Sequence, residues 1–452
     1  MKKLSIQFAI LLSVIFTFSC EIDAPVNPNQ PNLYGPGGVL EDPTRGKLNE
    51  LVIGTLASVS TQVGILYDVA GIVGRDIYRF DTADPRYVGD LMGTGNLDNS
   101  AFYSNNSYAQ RYASVKTCNV IIQAGPDTPG LSAAELNGYL AFAKTFKAFE
   151  LLNALNHQYA NGIRIDVEDE DNLGPFTAGA AEALTEIAAI LAEAATHCDA
   201  AGTTFPFPLT SGFNRDNLPA TGDEFNTPAT FAKFIKGLQA RVELYRGNYA
   251  TALTFVNASF IDETGNFGRG VYRLFANAAG DRVNPLFFPR NTNGTTRLAH
   301  PTWLTEAVPG DLRLAKAQLR TNPISTVGLT GTHDAFLYST NTTPVAIIRN
   351  EELILIKAEA LVQTDQFAAA KVLIDKIRVD AGNIGVYAGA LDKPSMITEV
   401  LFQRRYSLWD EGHRWVDMRR YNRLNELTID RPGDSIIPQM PRPFNEVGVQ
   451  GG

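Results

Sequence analysis

Residues 235–256 read IKGLQARVELYRGNYATALTFV, and 118 residues further on 353–374 read LILIKAEALVQTDQFAAAKVLI. The register is constant across the whole segment. Ile235 matches Leu353, Leu238 matches Ile356 and Ala240 matches Ala358. Tyr249 then matches Phe367, Ala252 matches Ala370 and Val256 matches Ile374. The apolar positions recur at helical spacing on both sides of a polar turn, which requires two helices folded back on each other. Small residues fall where such helices must approach closely. One helix pair cannot bury its apolar face alone, so the chain must stack further pairs.

The turn Gly247-Asn248-Tyr249 with Ala252 resembles the tetratricopeptide pattern; the second copy has Asp365 in place of the glycine. Helical periodicity also appears near 107–124, 133–160, 178–200, 228–258, 350–380 and 396–420, and Asp42-Pro43 reads as a helix start. The expected fold is mainly α: tetratricopeptide-like helix pairs as scaffold over 44–70, 106–258 and 346–380, with a C-terminal helical motif and tail over 396–452. Two loop-rich insertions, 71–105 and 259–345, are not needed to build the stack. Long insertions with many aromatics are usually functional, so ligand contacts are expected there. Residues 44–452 are read as a single domain.

The N-terminus, MKKLSIQFAILLSVIFTFSC, has two lysines, an apolar run and then Ser19-Cys20. It reads as a signal peptide over 1–19 with Cys20 as the lipid-bearing residue of the processed chain. Residues 20–43, rich in proline, read as a tether. The processed chain is expected to be held at a membrane by lipid, without spanning it. Cys118 and Cys198 each fall in a helical pattern and read as separate buried thiols.

Catalytic motifs are absent. There is no GxxxxGK[ST], GxSxG, HExxH or CxxC. The acidic run 165–174 fails the EF-hand pattern, because Leu173 stands where an oxygen ligand is required. The net charge of −9 gives no basic footprint for nucleic acid. Neither a metal nor a cofactor is expected, and the chain does not read as an enzyme. Binding fits better. A sugar site combines an aromatic face with side chains that form paired hydrogen bonds. The insertions offer Tyr78, Asp84, Arg86 and Tyr87 in one segment, and Arg290, Asn291 and Trp303 in the other.

The densest stretch is 402–420, FQRRYSLWDEGHRWVDMRR, with five arginines, three acids and two tryptophans. It reads as a structural latch in which guanidinium groups fork onto carboxylates while tryptophans fill the space between helices. The chain resembles the SusD/RagB family of Bacteroidetes outer-membrane lipoproteins. The carriers are Arg404, Arg405, Glu411, Gly412, His413, Arg414, Trp415, Asp417, Arg419 and Arg420, together with Arg349, Glu351, Leu353, Ala358, Glu359 and Ala360. Asp311-Leu312-Arg313 is similar to a further short motif, whereas Gln403 and Ser407 stand where relatives commonly carry acids. The resemblance implies a cell-surface, lipid-anchored outer-membrane protein. It would capture oligosaccharides and deliver them to a SusC-like TonB-dependent transporter. A peptide-binding, RagB-like receptor is the alternative, and a hydrolase a remote one. The resemblance transfers no ligand-binding residue.

Overall fold

The computed structural model describes residues 36–213 and 224–447. The signal segment, Cys20 and most of the tether lie outside the described residues. The helices in chain order are α1 Pro36–Glu41, α2 Arg45–Val59, α3 Val63–Val73, α4 Phe102–Ala124, α5 Ala133–Gln158, α6 Ala180–Asp199 and α7 Pro228–Arg246. There follow α8 Tyr249–Ala258, α9 Pro301–Thr305, α10 Asn350–Gln363, α11 Phe367–Lys376, α12 Lys393–Ser407, α13 Arg414–Arg420 and α14 Phe444–Val447. Local chemistry sets their ends. Ser132 and Glu135 form a capping box on α5, and Thr227 with Pro228 opens α7.

The stack runs α2 on α4, α4 on α5, α5 on α6, α6 on α7, α7 on α8 and α8 on α10, with α10 against α11 and α12. Its interior is aromatic and aliphatic, with Phe142, Phe146, Phe231 and Phe234 fully buried. Cys118 and Cys198 sit within it as separate buried thiols.

The repeat survives in three dimensions. The second helices, Tyr249–Ala258 and Phe367–Lys376, coincide after the 118-residue shift. The turn hydrogen bonds also coincide. Gly247 N–H donates to Leu244 O and Asn248 N–H to Glu243 O; Asp365 donates to Val362 O and Gln366 to Leu361 O. This is the paired pattern of a Schellman helix end, which needs a left-handed residue after the helix. Gly247 supplies it at φ 77°, and Asp365 is forced into it at φ 60°. A side chain in that region is strained. Asp365→Gly should therefore raise stability by about 0.5–1 kcal/mol, read as a shift in the chemical-denaturation midpoint. An unchanged or lower midpoint would show that the 3.1 Å pair with Lys393 outweighs the strain.

The insertions are not loops alone. Strands β1 Ile77–Asp81, β3 Thr295–Ala299, β4 Ala317–Thr326 and β5 Leu329–Ala335 form an antiparallel sheet in the order β1-β3-β5-β4. Strands β2 Gly270–Arg273 and β6 Val345–Arg349 form a second pair. β1 pairs with β3 from Ile77↔Ala299 to Asp81↔Thr295, which joins the two insertions into one body. Arg45–Val73 is long and apolar enough to cross a bilayer, but it is broken between α2 and α3 and 61% of its most apolar window is buried.

Candidate functional site

The arginine-rich stretch folds as α12, a break at 408–413, and α13. Gly412 and Asp410 take left-handed conformations within the break. Every conspicuous group faces inward. Arg420 forks onto Glu359 of α10 at 2.6 and 3.0 Å and reaches Asp417 at 2.8 Å. Arg404 Nε donates to Asp417 at 2.6 Å. Arg349 forks onto Glu411 at 3.1 and 2.7 Å. Arg405 pairs with Glu306 and donates to Thr302 Oγ1. Arg419 donates to Pro438 O and Asn156 O and lies 4.0 Å over the Trp415 ring. Trp409 Nε1 donates to Asp76 O, and Trp415 Nε1 to Ile437 O. The stretch thus ties α10, the sheet body and the C-terminal segment together.

Gln403 and Ser407, the departures from the expected acids, are not loose. Both accept from Arg313 Nη1, at 2.7 and 3.1 Å, while Arg313 also forks onto Asp311. Arg414 is different. It is half-buried and makes no hydrogen bond or ion pair among the described residues. Burial first, then the neighbouring Arg405, push its pKa down to about 10. Arg414 is not one of the clasping residues.

The seven residues chosen for ligand contact divide. Trp303 is fully buried, stacked 4.4 Å from Trp409 and 5.6 Å from Tyr406, and shows no face to solvent. Tyr78 is buried and donates to Asp430 at 2.6 Å. Tyr87 is buried beneath Arg79, whose guanidinium carbon lies 4.2 Å from the ring centroid. These three are core residues, a correction to the sequence expectation. The aromatic ring is worth more in contact with another ring than in water. Asp84, Arg86, Arg290 and Asn291 stay nearer the surface. Arg86 forks onto Asp84 at 2.8 and 2.7 Å and lies 4.7 Å over Phe102. That hydrogen bond is the main reason the Asp84 carboxyl titrates below its usual range. Arg290 caps Leu319 O, and Asn291 Oδ1 accepts from Thr321 N–H.

A hydroxyl–imidazole–carboxylate line does exist. His300 Nε2 lies 2.9 Å from Asp430, and Nδ1 lies 2.8 Å from Thr302 Oγ1. Its role is a cap: Nδ1 also accepts from Thr302 N–H at the start of α9. The acidic run is likewise occupied, with Lys147 on Glu168 and Lys116 on Glu170.

An open groove lies elsewhere. A groove of about 600 Å³ is lined by Asn96, Asn99, Asn161, Gln439 and Arg442, with Leu97, Ile436, Ile437 and Met440 as its apolar part. That volume suits a short oligomeric ligand. The polar wall is built before any ligand arrives. Gln439 Nε2 donates to Asn161 Oδ1 at 2.8 Å and its Oε1 accepts from Ala160 N–H. Asn161 Nδ2 donates to Met440 O at 2.9 Å. On the other wall the exposed Asn96 carboxamide is held by no hydrogen bond among the described residues. The segment 435–442 crosses loop 93–99 closely. A side chain at Gly93, where φ is 82°, would meet Ser435 O at 2.3 Å. The surface around Arg86 adjoins this groove: Phe102 packs on Tyr103, whose hydroxyl accepts from Asp98 N–H.

The sequence profile of the SusD family matches residues 329–443. A SusD-like protein of Formosa agariphila is 34% identical over 107 residues, a match spanning 21% of each chain. Residues 329–443 of the chain belong to the SusD/RagB family. Solved structures extend the likeness of fold over nearly the whole chain. A SusD superfamily protein of Bacteroides vulgatus superposes with a TM-score of 0.66 at 12% identity, covering 90% of this chain and 97% of that one. Surface glycan-binding protein A of Bacteroides thetaiotaomicron, solved with laminarihexaose, gives 0.65 at 14% identity, covering 90% and 97%.

The profile match takes in both the latch and the segment 435–442. The other groove wall comes from the first insertion. No motif marks Asn96, Asn99, Asn161, Gln439 or Arg442. The only sequence signal was the length of the insertion holding the first two.

Proposed function

We propose that this SusD/RagB protein is a non-catalytic, lipid-anchored binding protein of the outer-membrane surface. It captures oligosaccharides and delivers them to a SusC-like TonB-dependent transporter. The carrying observation is the carboxamide-lined groove. The Asn96 amide, unbonded among the described residues, offers an acceptor and two donors side by side, which matches neighbouring hydroxyls of a sugar ring. The apolar residues of the groove suit the ring's C–H face. A family relative in fold holds a six-sugar chain, which supports the same ligand class here. The lipid at Cys20 and the tether over 20–43 supply the anchor in this reading.

Calorimetric titration of a panel of oligosaccharides tests it. At least one should bind, and Asn96→Ala with Asn99→Ala together should weaken it about tenfold or more, since two hydrogen-bonding groups are lost. Unchanged affinity in the double variant would remove the groove from consideration. A silent panel alongside measurable binding of peptides would decide for the RagB-like reading.

A further inference from the structure

The groove differs in charge from the rest of the protein. The chain carries 48 acidic and 39 basic residues, yet the groove lining contains no carboxylate. Its one charged residue is Arg442. Of the acids nearest along the chain, Glu446 pairs with Arg164 at 2.9 Å and Asp434 with Arg431 at 2.9 Å, while Asp98, between Leu97 and Asn99, accepts from Ser100 N–H at 2.7 Å. Arg442 makes no ion pair among the described residues. Its guanidinium is nonetheless fixed. The central carbon lies 4.1 Å over the Phe176 ring, and Nη2 donates to Asn161 O. Nη1 is left without a partner among the described residues.

A half-buried, immobilised cation without a counter-ion is a standing attraction for an oxyanion. Holding it over an aromatic ring lowers the entropy lost when the anion arrives. Lysine could not be held this way, because stacking requires the planar group. Beside it stands Gln439, fixed on Asn161 and Ala160, with one amide N–H left to address a hydroxyl. The two together describe one ligand chemistry.

We infer that the groove prefers an acidic oligosaccharide, one bearing a uronate carboxylate or a sulfate ester, and that Arg442 reads that charge through Nη1. This rests on the glycan-binding reading above. It adds that the sugar is anionic and names the selecting residue.

The test is a calorimetric panel of matched pairs. Oligogalacturonide, oligoglucuronide and oligomannuronide are each set against their methyl esters, and a sulfated galactan oligosaccharide against its desulfated form. The inference expects at least one acidic member to bind about tenfold or more tightly than its neutral counterpart. In Arg442→Gln the ratio of acidic to neutral affinity should fall to about one. Preference for the uronates or for the sulfated galactan identifies the oxyanion. A neutral oligosaccharide that binds as well as or better than its acidic partner overturns the inference and leaves the glycan-binding reading standing. Silence of acidic and neutral members alike overturns the inference, and the general oligosaccharide panel then decides the glycan-binding reading. The comparison within wild type needs no variant, so a poorly folding Arg442→Gln would not blunt it.

Discussion

Replacing Arg297 with methionine should destabilise the protein by about 3–5 kcal/mol near neutral pH. Arg297 on β3 is almost wholly buried and donates to Asp68 at 2.8 Å and to Asp410 at 2.8 and 2.7 Å. It is the counter-ion of two buried carboxylates from α3 and from the break in the latch. Methionine fills much of the volume but leaves Asp410 without its counter-ion and Asp68 with Arg79 alone. The pH dependence gives the argument its sign. Burial already lifts Asp410 to about 6, with Arg297 pulling the other way. A carboxyl whose pKa is raised in the fold is best tolerated when protonated, so its penalty is absent at low pH and complete above the folded pKa. Removing Arg297 lifts Asp410 further. The gap between variant and wild type should therefore be widest at pH 7–8 and narrow as pH falls toward 4. Denaturant titrations at pH 7.5 and 4.5 check this, and a pH-independent gap would mean that lost packing, not stranded charge, dominates.

Trp303→Ala should cost about 3–5 kcal/mol through the cavity it leaves. The indole is sealed between Trp409 and Tyr406, and the Tyr406 hydroxyl donates to its carbonyl. In a protein that still folds, oligosaccharide affinity should be unchanged, because Trp303 does not line the groove. The sequence suggested the reverse, a tryptophan offered to ligand from a polar loop. A fall in affinity with no loss of melting temperature would restore that reading. The two measurements together separate scaffold from site.

The contrast shows what was legible. The helical scaffold announces itself because its spacing is local: every turn repeats a pattern readable over ten or twenty residues. The sheet does not, because its strands carry arginines toward the interior. Arg79, Arg297 and Arg320 meet Asp68, Asp410 and Asp334. A buried ion pair looks polar in sequence and hides the alternation expected of a strand. Trp303 was misplaced because its stacking partner Trp409 is distant in the chain. The groove was missed because carboxamides from three separate segments become a wall only when the segments meet. The latch was legible as a cluster, but which arginine clasps what was not, and Arg414 does not clasp.

The latch also has a consequence for synthesis. Arg75, in the first insertion, donates to Thr428 O and Ser435 O across 353 and 360 positions of chain. Segment 435–442 is bonded to both Gly93 and Asn161. The helices of the stack can form as they leave the ribosome, since each mainly meets its neighbour. The sheet body and the groove cannot close until nearly the last residues have emerged. Such long-range closure is slow and leaves intermediates exposed. A chain cut short before 400 would keep the helices up to α11, with Glu359 facing water and no arginine of the latch to meet it. Such a fragment is a natural target for proteases, so loss of the C-terminus should be read as loss of the whole binding body and not as a trimmed tail.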